Sequence, residues 1–181
     1  MSPTKLVLSW IGISLLAFPL AGYAGWGIAG HVDGMAPAIV GGAITGIGVG
    51  LVQWLFLRRI VDVGPAWIAA TGVALAAGLA LGAAVVGYET SAGALATMGA
   101  ISGAAVGIAQ GILLRGRFAL WHVWIAAMPA LFAAAWLTST AIGVDVANQF
   151  TVFGASGCLV FGAMSGLVLV TGQRVDARAA A

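Results

Sequence analysis

The chain has 181 residues, of which 62% are hydrophobic and 7% charged, with a mean hydropathy of +1.11 and a formal net charge of +2. That composition excludes a soluble domain with a polar surface, and it leaves no basic domain with which to bind nucleic acid. A single cysteine, Cys158, excludes disulfide and cysteine–metal frameworks and is expected to be a small packing residue.

A helix that spans a bilayer needs roughly 20 apolar residues. Polar and charged breaks divide this chain into six such segments, predicted at Lys5–Gly30, Pro37–Leu57, Pro65–Tyr88, Ser91–Leu114, Phe118–Ile142 and Asn148–Thr171. The expected fold class is all-α integral membrane, with residues 1–181 forming one transmembrane domain. The first segment also has the outline of a secretory signal, because Lys5 precedes an apolar run that ends in Ala21-Gly22-Tyr23-Ala24. Its relation to later segments predicts a retained helix instead. Trp10-Ile11, Trp67-Ile68 and Trp124-Ile125 are evenly spaced (67 − 10 = 57; 124 − 67 = 57).

The second segment carries Gly42-Ala43-Ile44-Thr45-Gly46 and continues through Gln53 to Arg58-Arg59; the fourth carries Gly99-Ala100-Ile101-Ser102-Gly103 and continues through Gln110 to Arg115. The sixth carries Gly162-Ala163-Met164-Ser165-Gly166 and continues through Gln173 to Arg178. In each, a small hydroxyl follows the first glycine by three residues, a glutamine by eleven and an arginine by sixteen. The unit is therefore a helical hairpin, a tryptophan-bearing helix followed by a glycine-striped one, repeated at about 5–59, 62–117 and 118–178. In the third unit Gly162 lies 38 residues after Trp124 rather than 32, which places six extra residues around Val146–Ser156, in a longer outer loop or a longer last helix.

Gly42, Gly46 and Gly50 recur every turn on one helix face, as do Gly99, Gly103, Gly107 and Gly111, while the last segment offers Gly162 and Gly166 after Gly154 and Cys158. Small residues at that spacing let helix backbones approach closely, which drives association where lipid removes the hydrophobic contrast. The expected arrangement sets the three glycine-striped helices innermost, around a pseudo-threefold centre. Gln53, Gln110 and Gln173 would then converge as a polar ring, or else make ordinary interhelical hydrogen bonds. Thr45, Ser102 and Ser165 are expected to bond back to their own helices. Trp10, Trp54, Trp67 and Trp124 are expected in an interfacial aromatic belt. Pro19 and Pro129 fall inside helices, and Pro37 and Pro65 at helix starts.

All seven basic residues, Lys5, Arg58, Arg59, Arg115, Arg117, Arg174 and Arg178, fall at one end of a six-span topology, and Asp33, Glu89 and Asp145 at the other. Basic short loops stay on the cytoplasmic side, so both termini are predicted to be cytoplasmic. No charged residue falls near the middle of a span, against an ion-coupled transporter. No catalytic set converges at one depth, and no enzyme activity, metal site or cofactor is predicted. His122 could ligate a haem or chlorin through its imidazole, but a lone interfacial histidine is ordinarily just solvated. His31-Val32-Asp33 would need metal ligands from elsewhere.

The helix ending in Gln53-Trp54-Leu55-Phe56-Leu57-Arg58-Arg59, followed by Ala66-Trp67-Ile68-Ala69-Ala70, resembles a type of small, uncharacterised bacterial multi-span membrane protein built from such repeats. The resemblance covers nearly the whole chain, implies residence in the bacterial cytoplasmic (inner) membrane, and carries no activity. Mitochondrial carriers also use three parallel hairpins, but their proline–acid–basic signature is missing here. Two functions are compatible with these residues. One is a structural or accessory subunit that packs against lipid, other membrane subunits or its own copies. The other is a small-solute, lipid or ion pathway through the pseudo-threefold centre.

Overall fold

In lipid, a backbone can satisfy its polar groups only within itself, so even a glycine-rich segment is held helical there. In a computed structural model, residues 1–179 are described, without the side chains of Arg174 and residues 176–179; the charges of Arg174 and Arg178 lie outside that description. The described residues form α1 (Pro3–Ala29), α2 (Met35–Leu57), α3 (Ala66–Val85), α4 (Ala92–Leu114), α5 (Trp121–Ala141) and α6 (Ala155–Ala179). All six are long and apolar enough to cross a bilayer, which makes this a polytopic membrane protein.

Local chemistry sets several boundaries. Ser2 caps α1, its hydroxyl accepting from the Lys5 amide at 3.4 Å, with Pro3 in the first turn; Ser91 caps α4 through the Ala94 amide at 3.3 Å. Pro65 is the N-cap of α3, whereas Pro37 lies inside the first turn of α2. Pro19 and Pro129 both lie within helices. Gly87 and Gly116 follow α3 and α4 with φ of 61° and 75°, a left-handed conformation that suits glycine.

The helices pack as a closed ring in chain order, each antiparallel to its neighbours, and α6 returns to α1. Large apolar side chains cover the outside: Leu8, Val73, Leu81 and Ile112 are each more than half exposed. The expectation of three glycine-bearing helices innermost is not met. Odd and even helices alternate around the ring, and the odd ones carry the bulkiest interior residues, Trp10, Trp67 and Trp124, all with no exposed surface.

Where helices meet most closely, glycine is present. A Cβ placed on Gly42 would lie 2.8 Å from the Ala76 Cα, and one on Gly46 would lie 2.6 Å from the Thr71 carbonyl oxygen. On Gly50 it would lie 3.1 Å from the Ile68 Cα. Across α4 and α5, a Cβ would lie 3.0 Å from the Phe132 carbonyl at Gly99, 2.8 Å from the Met128 carbonyl carbon at Gly103, and 3.0 Å from the Ile125 carbonyl at Gly107. At Gly111 it would press on the Ile125 side chain. Gly162 faces the Ile11 Cα at 3.0 Å, and Gly166 faces the Trp10 ring at 3.3 Å. Most of these neighbours are backbone atoms, which cannot rotate aside.

The last helix starts later than expected. Residues 142–154 connect α5 to α6, with one 3₁₀ turn at Val146–Asn148, against residues 30–34 between α1 and α2. The longer outer loop, rather than a longer helix, is what forms. Asp145 nucleates it, with one carboxylate oxygen accepting from the Ala147 amide at 3.2 Å and the other from the Asn148 side-chain amide at 3.0 Å. Gln149, at φ 46°, then turns the chain inward, and Thr151, Val152 and Phe153 are buried.

The close approach at Gly103 has a measurable consequence. Gly103→Leu should cost about 1–3 kcal/mol or more through overpacking against backbone, while Ile112→Ala, on the lipid-facing side of the same helix at 62% exposure, should change detergent melting little. Equal melting temperatures for the two variants would contradict the close-approach account.

Candidate functional site

Six faces of the ring converge on one polar layer near its arginine-bearing end. The Trp67 indole donates to the Gln53 side-chain oxygen at 3.2 Å, and the Trp124 indole donates to the Gln110 side-chain oxygen at 3.0 Å. The Gln110 amide nitrogen donates to Gln53 Oε1 at 3.1 Å and to Thr71 Oγ1 at 3.0 Å, and Thr71 donates back to the Trp67 carbonyl at 2.8 Å. Four helices, α2 to α5, are thereby tied together by buried side chains. The third indole, Trp10, donates to Ser165 Oγ at 2.8 Å, and Ser165 donates to the Phe161 carbonyl at 2.5 Å. Ring centroids lie 6.2 Å apart for Trp10–Trp124 and 6.4 Å for Trp67–Trp124.

Gln53 and Gln110 thus meet, but Gln173 does not join them. Its amide donates to the Ile60 carbonyl at 3.4 Å, in the connection after α2. The reason is register. Gly50 seats on Ile68, Gly107 on Ile125 and Gly162 on Ile11, three isoleucines spaced by 57 (68 − 11; 125 − 68). Three residues after each of these glycines stand Gln53, Gln110 and Ser165. Pairing Gly162 with Gly42 and Gly99 therefore misplaces α6 by eight residues, about 12 Å along a helix.

The tryptophans also depart from expectation. Trp10, Trp67 and Trp124 are fully buried inside the ring rather than lodged at the membrane surface, because their N–H groups find acceptors there. Trp54 and Trp121 do lie toward the surface and carry arginines: the Arg58 guanidinium stands 4.7 Å above the Trp54 ring and that of Arg115 5.7 Å above Trp121. Of the small hydroxyls, Ser165 bonds within its own helix, whereas Thr45 reaches the Ala21 carbonyl and Thr151. Ser102, 3% exposed, has no partner among the described residues.

Beyond the indoles the interior is aromatic. Phe18 lies 5.0 Å from Phe153 and 4.9 Å from Phe161, and Phe132 lies 5.5 Å from Phe161. Between this cluster and the glutamines a cavity of about 10 Å³ is lined by Val49, Gln53, Thr71 and Gln110 among others. Such a space suffices for at most one water.

Across the acid-bearing mouth runs the segment 149–154, the inner part of the longer outer loop. The Asn148 carbonyl accepts from the Trp26 indole at 2.9 Å, and the Gln149 carbonyl from the Val32 amide at 3.1 Å. The Gln149 amide donates to the Tyr88 carbonyl at 3.1 Å, Thr151 donates to the Gly22 carbonyl at 3.1 Å, and the Gly154 amide donates to Ser139 at 3.0 Å. Non-helical backbone is tolerated at membrane depth only when protein satisfies it in this way. The sequence sign of this segment was the six extra residues around Val146–Ser156, compatible there with a longer outer loop or a longer last helix.

His122 is exposed and stands edge-on to Trp121 at 5.9 Å. Among the described residues no three His, Cys, Asp or Glu side chains lie close enough to share a metal ion. The glutamine–indole layer itself neither titrates nor carries charge near neutral pH; its chemistry is hydrogen bonding. No protein-family model matches the chain, and no curated protein and no solved structure is detectably similar to it.

Gln110 bonds to the side chains of Gln53, Thr71 and Trp124, and leucine there would strand the Trp124 indole N–H. Gln110→Leu should lower stability by about 1–3 kcal/mol, and Gln173→Leu by a few tenths, judged by thermal unfolding in detergent. An equal effect at both positions would show that the buried layer does not hold α2 to α5 together.

Proposed function

We propose that this chain is a structural or accessory subunit of a larger assembly in the bacterial cytoplasmic membrane, with both termini cytoplasmic, rather than an enzyme or an autonomous transporter. The observation that carries this reading is the filled interior: three fully buried indoles and four phenylalanines occupy the centre of the ring. A central pathway would need that volume, so the same packing weighs against a channel. A rigid body with an apolar exterior is suited to binding lipid, other membrane subunits or its own copies.

The reading includes a threefold history for the fold. Three helical hairpins with glycine-striped second helices are supported by the 57-residue spacing and by the matching seats of Gly50, Gly107 and Gly162. In this account Gly42, Gly46, Gly50, Gly99, Gly103, Gly107, Gly111, Gly162 and Gly166 join each hairpin to the next, with α6 closing onto α1. Cation clusters at one end are the support for orientation.

Two measurements on the protein test the role. Purified alone into liposomes, it should pass ions and small solutes no faster than protein-free liposomes; released from its own membrane in mild detergent, it should migrate with a stoichiometric protein partner or as a homo-oligomer. Solute flux that is lost in a folded Gln53→Leu/Gln110→Leu variant would overturn the scaffold reading in favour of a pathway.

A further inference from the structure

We propose that the crevice between α1 and the segment 149–154 is a binding site for a single acyl chain of a membrane lipid. The crevice has a volume of about 220 Å³. Phe18 and Pro19 of α1 line it on one side and Phe150, Val152 and Phe153 on the other, with Val144 also in the lining. Among the described residues no charged, amide or carboxylate side chain lines it, and the one polar atom borne by a lining side chain is the hydroxyl of Tyr23.

Its origin lies in the late start of α6. Helices α2 and α4 begin seven residues before Gly42 and Gly99 (42 − 35; 99 − 92), whereas α6 begins one residue after the corresponding Gly154. The two turns that would have packed along α1 are replaced by an extended segment, which is thinner than a helix with its side chains. The segment covers the mouth of the ring but leaves a gap beside α1.

The gap faces the bilayer. Leu16, Leu20 and Tyr23, on the same stretch of α1, are 61%, 69% and 69% exposed. Phe18 to Tyr23 lie six to eleven residues before the end of α1 at Ala29, about 9–16 Å along the helix, which is within one leaflet of a core about 30 Å thick. An apolar cavity of this size does not hold water; an engineered apolar cavity of about 150 Å³ stays dry and takes up apolar molecules instead. Left empty, its walls would forgo dispersion contacts on one side. The hydrocarbon chain of a neighbouring lipid is the apolar filler that the surroundings supply. With no polar recognition group deep in the crevice, selection is for a flexible chain rather than for a head group.

The test uses the full chain in phosphatidylcholine liposomes doped with a phosphatidylcholine carrying a photoactivatable diazirine on one acyl chain. After irradiation and digestion, adducts are mapped by mass spectrometry. Adducts are expected on Phe150, Val152 or Phe153, although Val152 and Phe153 are only 6% and 1% exposed, at a yield comparable with that on Leu16 and Leu20. Val144→Trp, which fills the crevice, should lower adducts on those three residues at least fivefold while those on Val73 and Leu81 stay unchanged. The wild-type map is decisive by itself: a segment 150–153 free of adducts beside labelled Leu16 and Leu20 would overturn the proposal. Adducts there that persist undiminished in a folded Val144→Trp variant would overturn it as well.

Discussion

Nothing in the hydrocarbon of a bilayer offers a hydrogen bond to an indole N–H, a side-chain amide or a peptide group, and each one left unpaired there costs several kcal/mol. Polar groups carried into the interior of this ring are therefore paired by the ring itself, Ser102 being the exception among the described residues. Trp67 with Gln53, Trp124 with Gln110 and Trp10 with Ser165 are that pairing, and each bond crosses from one helix to another. Because a glutamine that moved would strand its indole, the layer specifies how the helices are rotated and how far each is shifted along its neighbour. Segment 149–154 obeys the same constraint at the other mouth, where its peptide and side-chain groups reach α1, α2, α5 and two connections.

Glycine and aromatic residues divide the packing between them. Close backbone approach at Gly46 and Gly103 narrows the interfaces between helices, and a ring of six helices drawn tight still encloses more space than small side chains can fill. Tryptophan and phenylalanine occupy that space, at centroid separations from 4.9 to 6.4 Å. Glycine at the seams and indoles in the middle are thus two parts of one solution: the first lets helices touch, the second fills the space they enclose.

Much of this was legible from composition and spacing. Six apolar runs became six helices, with five of them close to their expected bounds, because chain length in hydrocarbon admits few alternatives. The helical period of the glycines in α2 and α4 is visible in the sequence itself. What the motif could not reveal was which neighbour a stripe meets, since periodicity marks a face without naming its partner. Gln173 illustrates the limit: the run from Gly162 to Gln173 imitates the earlier motifs, yet packing places Ser165 where the glutamines stand. Local likeness of residues competed with the seat of Gly162 on Ile11, and contact prevailed. The tryptophans were misjudged for a related reason, as their amphipathic rings suit a membrane surface as well as a buried layer supplied with acceptors. For segment 149–154 hydrophobicity left loop and helix both open, since Phe150, Val152 and Phe153 read as membrane span whether or not they are helical.

The central claim is that the indole layer is sealed from water on both sides. Hydrogen exchange of the indole N–H groups, followed by nuclear magnetic resonance of the full chain in detergent micelles or nanodiscs, tests it directly. The account predicts that the Trp10, Trp67 and Trp124 indole protons persist long after that of the half-buried Trp121 has exchanged. Exchange of Trp67 and Trp124 as fast as Trp121 would contradict it, and would mean that water reaches the glutamines along the axis of the ring.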